Sequence, residues 1–183
     1  MLNTKTAVGA ISAILLSSVL CGSGAAYARV PGTRPPRHRS TAVAHTCAVL
    51  SASLLEKVVG GTFDDQPSQS KAPPPYGGAW GWDCQYFSKP PFANGHQTRV
   101  DLVIYDETSA AVAKETFDKT AMIFEDRSKP KPSGIGDAAY WDALDDEEPS
   151  INVLKGSAHF RLGMQPANDA QLTKLAIAVA SQL

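Results

Sequence analysis

The sequence has few of the residues that mark specialised protein classes. Only 19% of its 183 residues are charged and 8% are aromatic, with three cysteines and four histidines. The formal net charge of −1 excludes wholesale nucleic-acid binding through a basic surface. The composition, 43% apolar, also excludes a collagen-like chain and a highly charged disordered polymer. An ordinary globular domain remains.

The chain also lacks an apolar run long enough to cross a membrane. Its first apolar run begins at Ala7 and has about 14 residues, whereas a transmembrane helix needs roughly 20. Lys5 precedes the run, and Ala26-Tyr27-Ala28 follows it with the small residues that signal peptidase requires. Residues 1–28 are therefore predicted to be a secretory signal peptide, cleaved before Arg29. The mature protein is expected in the periplasm or outside the cell.

Cys21 raises the alternative of a lipid-modified N-terminus. A lipidation motif has a small residue directly before the cysteine and a leucine three positions before it. Here Leu20 and Ser18 occupy those positions. The sequence therefore argues against a lipid anchor at Cys21.

The two cysteines outside the leader form an even pair. In an oxidising compartment such a pair persists as a disulfide. No Cys-x-x-Cys spacing and no nearby pair of histidines supports redox or metal chemistry instead. We predict a Cys47–Cys84 disulfide, which would stabilise the domain by about 4 kcal/mol through loop closure.

Charge is divided unevenly along the mature chain. Residues 29–46 hold four arginines, three prolines and no acidic residue, which predicts an extended, solvated tether. Its arginines could bind anionic lipid or wall polymer, or the segment could be a solubilising spacer. Residues 47–183 hold 12 lysines and arginines against 18 acidic residues, and are predicted to form a single globular domain.

Hydrophobic periodicity in that domain predicts three amphipathic helices and about five strands. The expected helices are residues 50–61, 109–124 and 168–183, and the expected strands are residues 80–87, 99–105, 138–143, 151–154 and 158–164. Residues 62–78 show no period. The order α-β-β-α-β-β-β-α with short links predicts an α+β fold, an antiparallel sheet with three helices packed on one face.

Few residues are arranged for catalysis or for metal binding. His159 alternates outward from Phe160, which indicates a solvated sheet face. Gly134-Ile135-Gly136-Asp137 has no strand before it and no helix after it, so a tight turn is favoured over a phosphate loop. There is no Gly-x-Ser-x-Gly elbow. No catalytic residue and no cofactor is predicted.

A run of carboxylates is the other candidate for a metal site. It consists of Asp142, Asp145, Asp146, Glu147 and Glu148. Such a run could bind calcium weakly, but it lacks the alternating oxygen ligands and the central glycine of a calcium loop. We interpret it as an acidic hairpin tip and predict no metal site.

The outward face of the sheet is a candidate recognition surface. Aromatic residues beside the loop at residues 75–78 would give such a surface a good anchor for a partner. The possible binding surface comprises Tyr76, Trp80, Trp82, Arg99, Asp101, Tyr105, His159 and Arg161.

Several short motifs point to a family. They are Cys47, a helix ending in Gly60-Gly61, Trp82-Asp83-Cys84-Gln85-Tyr86, Gly134-Ile135-Gly136-Asp137-Ala138-Ala139-Tyr140-Trp141, and Val153-Leu154-Lys155-Gly156 before a terminal Leu/Ala helix. Residues 47–183 thereby resemble small exported envelope domains of unassigned function, often lipid-anchored and best known from actinobacteria. These are similar in pattern to extracellular sensor domains of receptor kinases. The resemblance implies a disulfide and helices on an antiparallel sheet, and no catalytic residue. The chain departs from it in lacking a lipidation motif.

These patterns favour a non-catalytic binding module of the cell envelope over an enzyme. Its expected partner is an envelope or periplasmic protein, in a sensor, inhibitor or immunity role. The alternatives are a small periplasmic hydrolase or ligand-modifying enzyme, and a passive structural protein. A pocket joining His96 or His159 to two carboxylates would favour the enzyme.

Overall fold

An antiparallel β-sheet forms the centre of the fold. The computed structural model describes residues 45–92, 95–143 and 148–183. Its strands are β1 (Thr62–Phe63), β2 (Ser68–Ala72), β3 (Gly81–Lys89), β4 (Arg99–Asp106), β5 (Ala138–Asp142), β6 (Ser150–Lys155) and β7 (Ala158–Gln165). Six of them lie in the order β1-β3-β4-β7-β6-β5. The remaining strand, β2, pairs with β3, as β1 also does.

Three α-helices cover the sheet, and each begins at a side-chain cap. They are α1 (Ala52–Val59), α2 (Ala110–Phe124) and α3 (Asp169–Ala180). Ser51, Ser109 and Asn168 accept a hydrogen bond from a backbone N–H of the first turn of their helix. This is the N-cap arrangement that these residue types favour. The three predicted helices are present: α2 and α3 begin one residue after their predicted starts, and α1 begins two residues after its predicted start.

The predicted leader and the tether up to residue 44 lie outside the described residues. Of the predicted tether, residues 29–46, the structure describes only His45 and Thr46. The backbone N–H of His45 donates to Asp106 Oδ2 at 2.6 Å, and the His45 ring also pairs with this carboxylate. Thr46 caps a short 3₁₀ turn at Cys47–Val49. The last part of the predicted tether is therefore in contact with β4, through His45.

One face of the sheet carries the main hydrophobic core. Cys84, Leu102, Leu162 and Ile151 lie side by side across four strands, and all are fully buried. Helices α1 and α3 pack on this face, since their apolar residues belong to the same cluster. Helix α1 also contacts α3.

Helix α2 packs on the opposite face. Its Ala113 and Phe117 form a smaller cluster with Tyr140 and Leu154, and the rings of Phe117 and Tyr140 lie 5.0 Å apart. Tyr140 and Leu154 alternate with residues that point into the main core. The expectation of three helices on one face is therefore wrong, and both faces are covered.

The five predicted strands are all present, within two residues at each end, but β1 and β2 were not expected. Strand β2 has four exposed residues out of five, and its sequence Ser-Gln-Ser-Lys-Ala lacks hydrophobic alternation. Antiparallel pairing with β3 holds it in place, from Ser68 opposite Gln85 to Ala72 opposite Gly81. An edge strand of this kind depends on backbone pairing, which leaves no periodic signal in the sequence.

The predicted disulfide between Cys47 and Cys84 is present, with the two Cα atoms 5.7 Å apart. Both cysteines are buried. Tyr86, on the same strand as Cys84, donates its hydroxyl to the carbonyl oxygen of Cys47 at 2.5 Å. The bridge and this hydrogen bond together fasten the start of the domain to β3.

The glycine-rich segment at residues 134–137 is the predicted tight turn into β5. Gly134 and Gly136 both have positive φ angles, of 73° and 58°. The backbone N–H of Asp137 donates to Leu154, and its carboxylate accepts from the backbone N–H of Gly156. The segment thus docks onto the β6–β7 hairpin.

No helix in the described part of the chain is long and apolar enough to span a bilayer.

Candidate functional site: a cavity between the sheet and helix α2

A cavity of about 180 Å³ lies between α2 and the face of the sheet that α2 covers. The register aligns Val103, Arg161, Asn152 and Tyr140 in one row across β4, β7, β6 and β5. All four residues line the cavity. Its other lining residues are Pro75, Tyr105, Thr120, Phe124, Asp142 and His159.

Arg161 is held from one side only. Its Nε donates to Asp142 Oδ2 at 3.1 Å and to Ser150 Oγ at 2.9 Å. Asn152 Nδ2 also donates to Asp142 Oδ2, at 3.2 Å. The two Nη groups have no hydrogen-bond partner among the described residues. The guanidinium is therefore oriented by Asp142 while its outer donors remain available.

Tyr140 has a buried hydroxyl beside the cavity. The residue is only 2% exposed, and within the described residues its hydroxyl has no hydrogen-bond partner. Burial, and then the nearby Asp142 carboxylate, raise the pKa of Tyr140 above its usual value. The phenol therefore stays protonated. A buried hydroxyl without a partner costs free energy. Because this oxygen is itself buried, it is not exposed to a ligand in the cavity.

His159 forms the end of the cavity with Tyr105. Their rings stack with centroids 4.8 Å apart, and His159 Nε2 lies 3.4 Å from Glu107 Oε1. Burial is the main cause that lowers the pKa of His159, although Glu107 opposes the shift. The imidazole is thus favoured in its neutral form. The interpretation of His159 as part of a solvated face is wrong, because α2 and the loop after β2 cover it.

Glu107 also positions the loop that borders the cavity. Its carboxylate accepts a hydrogen bond from the backbone N–H of Ala79, at 3.1 and 3.2 Å to the two oxygens. A Cβ on Gly78 would lie 2.4 Å from Glu107 Oε1, so a side chain at this position would have to displace the Glu107 carboxylate. Pro75 of the same loop lines the cavity. One buried carboxylate therefore connects this loop to His159.

Arg99 and Asp101 lie on the same sheet face but outside the cavity. Arg99 Nε donates to Asp101 Oδ2 at 2.7 Å, and its Nη2 pairs with Glu148. Burial, with Glu148 as the second cause, raises the pKa of Asp101 to about 6, although Arg99 opposes the shift. These three residues form a separate, internally paired cluster.

The three predicted aromatic anchors do not lie together in the cavity. Trp80 is 63% exposed and Tyr76 is 51% exposed. Trp82 is half-buried on the opposite face, packed against the main core, with Lys71 Nζ 3.5 Å above its ring. Of the predicted binding surface, only Tyr105, His159 and Arg161 line the cavity.

The acidic run is not a solvated hairpin tip at either end. Asp142 is the last residue of β5, is buried, and binds Arg161. Glu148 binds Arg99. Asp145, Asp146 and Glu147 lie outside the described residues. No group of three or more potential metal ligands occurs in the part of the chain that the structure describes.

Asp142, Asn152, Tyr140 and Glu107 were missed as site residues by sequence reasoning. Tyr140, Asp142 and Asn152 lie on strands, at positions opposite to those that point into the main core, and Glu107 directly follows β4. Such positions usually face solvent, so pattern alone assigned Asp142 to a polar tip. A partial signal existed, because Tyr140 and Asn152 interrupt otherwise apolar strands.

A larger depression, of about 410 Å³, lies beside the start of α1. Its polar lining includes Ser51, Ser53, Asp65 and Gln66, all of them half-buried or exposed. Among the described residues that line it, none has a buried polar side-chain atom without a partner. The cavity under α2 is therefore the stronger candidate.

Replacement of the two buried tyrosines by phenylalanine should have opposite effects. Tyr140→Phe removes an unpartnered hydroxyl and is expected to raise the free energy of unfolding by about 1 kcal/mol. Tyr86→Phe removes the hydrogen bond to Cys47 and should lower it by about 1 kcal/mol. Urea denaturation of both variants measures the difference. Equal destabilisation would mean that the Tyr140 hydroxyl has a partner in the folded protein.

Comparison of the chain with protein-family models, curated proteins and solved structures gives no match in any of the three.

Proposed function

We propose that this chain is an exported, non-catalytic binding module of the cell envelope, and that the cavity under α2 is its ligand-binding site. The observation that carries this proposal is an arginine oriented at a cavity wall, whose Nη groups have no partner among the described residues. Arg161 lines a cavity with apolar walls at Val103, Pro75 and Phe124. Apolar walls with a few polar groups are typical of small-ligand sites.

The export part of the proposal rests on the predicted signal peptide and is supported by the disulfide. A buried bridge such as Cys47–Cys84 persists in oxidising compartments and is rare in the cytosol. Mass spectrometry of protein recovered from cells is the direct check. A chain that retains Met1 and has both thiols free for alkylation would contradict export.

A protein partner is the expected source of the bound group. Three large apolar side chains are exposed near the helix and loop that border the cavity: Tyr76 on the loop, and Met122 and Ile123 on α2. Helix α2 contacts the short turn that contains Tyr76. Exposed apolar side chains of this kind are common in surfaces that dock other proteins.

A ligand-modifying enzyme is the second candidate, and one observation favours it. His159 lies at the cavity wall with Asp142, and Glu107 binds its ring, so a histidine and two carboxylates do meet here. Glu107 could orient His159 as a general base. However, Asp142 is engaged by Arg161 and Asn152, and no serine or cysteine of the described residues lines the cavity to act as a nucleophile.

A fragment screen by NMR separates the two candidates. We expect some fragments to shift the side-chain signals of Arg161 and Asn152 and to be recovered unchanged. Arg161→Lys should abolish these shifts, because lysine lacks the planar guanidinium fork. Arg99→Lys, on the same sheet face but outside the cavity, is the matched control and should leave them intact.

Two results would refute the proposed role of the cavity as a non-catalytic binding site. The first is a library in which no fragment affects cavity signals. The second is chemical conversion of a bound fragment that is lost in His159→Gln, which would establish the enzyme instead.

A further inference from the structure

Two carboxylates and one arginine meet on the sheet face opposite the main core, outside the cavity under α2. Arg99 and Asp101 lie on β4, and Glu148 lies two residues before β6 begins at Ser150. Arg99 Nε donates to Asp101 Oδ2 at 2.7 Å, and its Nη2 pairs with Glu148. The side chains of Asp101 and Glu148 also lie within hydrogen-bonding reach of each other. One arginine therefore serves two neighbouring carboxylates.

Gly163 on β7 makes room for this arrangement. It lies opposite Asp101 in the β4–β7 register and opposite Ser150 in the β6–β7 register. A Cβ on Gly163 would lie only 3.3 Å from Glu148 Oε1. The Glu148 carboxylate thus lies over β7, where a side chain would take part of its space. The side chains of Asp101 and Glu148 are only 14% and 18% exposed, so little water reaches the pair.

One oxygen of this cluster lacks a hydrogen-bond donor. Asp101 Oδ1 is buried and has no hydrogen-bond partner among the described residues, whereas Oδ2 accepts from Arg99. Ionised carboxylates only accept hydrogen bonds, so Asp101 and Glu148 cannot bond to each other when both are charged. A buried oxygen without a donor costs free energy. A proton on Asp101 removes this conflict, because it turns the carboxyl group into a donor to Glu148.

The electrostatics of the pair favour the same protonation state. When two carboxyl groups occupy one site, the pKa of one of them rises, because a second negative charge is disfavoured. Burial, followed by Glu148, raises the pKa of Asp101 to about 6, although Arg99 opposes the shift. Burial also raises the pKa of Glu148, but hydrogen bonds from Arg99 and Asp101 outweigh burial, so the net shift is downward. Asp101 therefore holds the proton, and Glu148 stays charged.

The strands beside Asp101 add little charge at this point. Asp101 lies opposite Gln85 on β3 and opposite Gly163 on β7, and neither residue is charged. The charged residues farther along the same face are Asp83 on β3, Arg161 on β7 and Asp142 on β5. Arg161 is already paired with Asp142, and it acts on the cluster only through its charge. The single positive charge of Arg99 balances only one ionised carboxylate.

We propose that Asp101 and Glu148 share one proton and form a pH-sensitive latch, which fastens the entry to β6 onto β4 in acidic surroundings and loosens when the proton leaves. In the closed latch Asp101 donates to Glu148, and Arg99 binds both. After deprotonation two negative charges face each other across one arginine. With the proposed export, the latch meets the pH outside the cytosol. It does not depend on ligand binding under α2, so either proposal can fail alone.

NMR of the side-chain carboxyl carbons in the intact, disulfide-bonded chain tests the latch directly. The Asp101 signal is expected to titrate with a midpoint near pH 6, about two pH units above an ordinary aspartate. The backbone amide signals of Glu148 and Gly163 should follow the same midpoint. Asp137, whose pKa is lowered chiefly by a hydrogen bond from the Gly156 backbone, is the internal control. An Asp101 midpoint below about pH 5 would overturn the proposal.

Stability should depend on pH in the direction that this proton sets. Because folding raises the pKa of Asp101, its contribution to stability is present at low pH and is lost as the pH rises through about 6. Between about pH 5 and about pH 7, the unfolding equilibrium constant should rise by about tenfold on this account. The pKa of Glu148 is shifted downward, so its contribution is lost only as the pH falls below this window.

Variants separate the latch from the histidines that titrate in the same pH window. Asp101→Asn keeps an oxygen for Arg99 and supplies an N–H donor to Glu148, so it mimics the closed latch. In urea denaturation, the change in its unfolding equilibrium constant between about pH 5 and about pH 7 should be about tenfold smaller than in the parent protein.

Two further variants complete the test. Glu148→Gln can donate an N–H to the Asp101 carboxylate, so the Asp101 midpoint should fall by about one pH unit or more. Asp137→Asn, which removes an exposed carboxylate outside the cluster, is the matched control and should keep the pH dependence of the parent protein. Equal pH dependence in Asp101→Asn and in the parent would overturn the latch. The carboxyl titration of the parent decides the question even if a variant does not fold.

Discussion

Removal of the Cys47–Cys84 disulfide should lower the free energy of unfolding by about 4 kcal/mol. The bridge closes a loop with a sequence separation of 37, which limits the conformations of the unfolded chain. The enclosed segment needs this restraint, because β1 has two residues and most of β2 is exposed. Since whole domains are stable by about 5–15 kcal/mol, the loss is a large fraction.

The double variant Cys47→Ala, Cys84→Ala measures this effect by urea denaturation, and a reducing agent provides the control. Dithiothreitol should destabilise the parent protein by a similar amount and leave the double variant unaffected. A difference below about 1 kcal/mol between the parent and the variant would contradict loop closure as a major source of stability.

Replacement of Gly136 by alanine should be the most damaging single change in the turn before β5, at about 4 kcal/mol. Two costs combine there. The φ angle of 58° disfavours any side chain, at roughly 1–2 kcal/mol. In addition, a Cβ at this position would lie 2.4 Å from the backbone oxygen of Leu154, a group that cannot move without disturbing β6.

Gly134 provides a matched control, two residues away in the same turn. Its φ angle of 73° carries the same backbone cost, but no atom lies within 4 Å of the position that a Cβ would occupy. Gly134→Ala should therefore cost only about 1–2 kcal/mol. Thermal and urea unfolding of both variants give the comparison. Equal costs would show that the close approach to Leu154 adds nothing.

Local features of the fold could be predicted from the sequence because their signals are local. Asn168 precedes an apolar helical stripe, so it caps a helix. Val100, Leu102 and Ile104 alternate and therefore form a strand with one buried face. Strand β2 could not be predicted in this way, because its exposed residues have no period and only its backbone pairs with β3.

The candidate site was only partly predictable. Alternation places Tyr105, His159 and Arg161 on the face opposite the main core, and the structure places all three at one cavity. The burial of His159 could not be inferred from the sequence, because it depends on long-range packing around the sheet. The same packing encloses Asp142 and Tyr140, which sequence reasoning had not assigned to a site.

The order of residues was enough to specify the disulfide partners, the three helices, five of the strands, and the tight turn at residues 134–137. Each of these depends on side-chain type and on spacing along a short stretch of chain. Which face each helix covers depends instead on long-range packing. Helix α2 connects β4, inside the sheet, to β5 at its edge, and it packs on the face opposite the main core. That packing turned an expected solvated surface into a cavity.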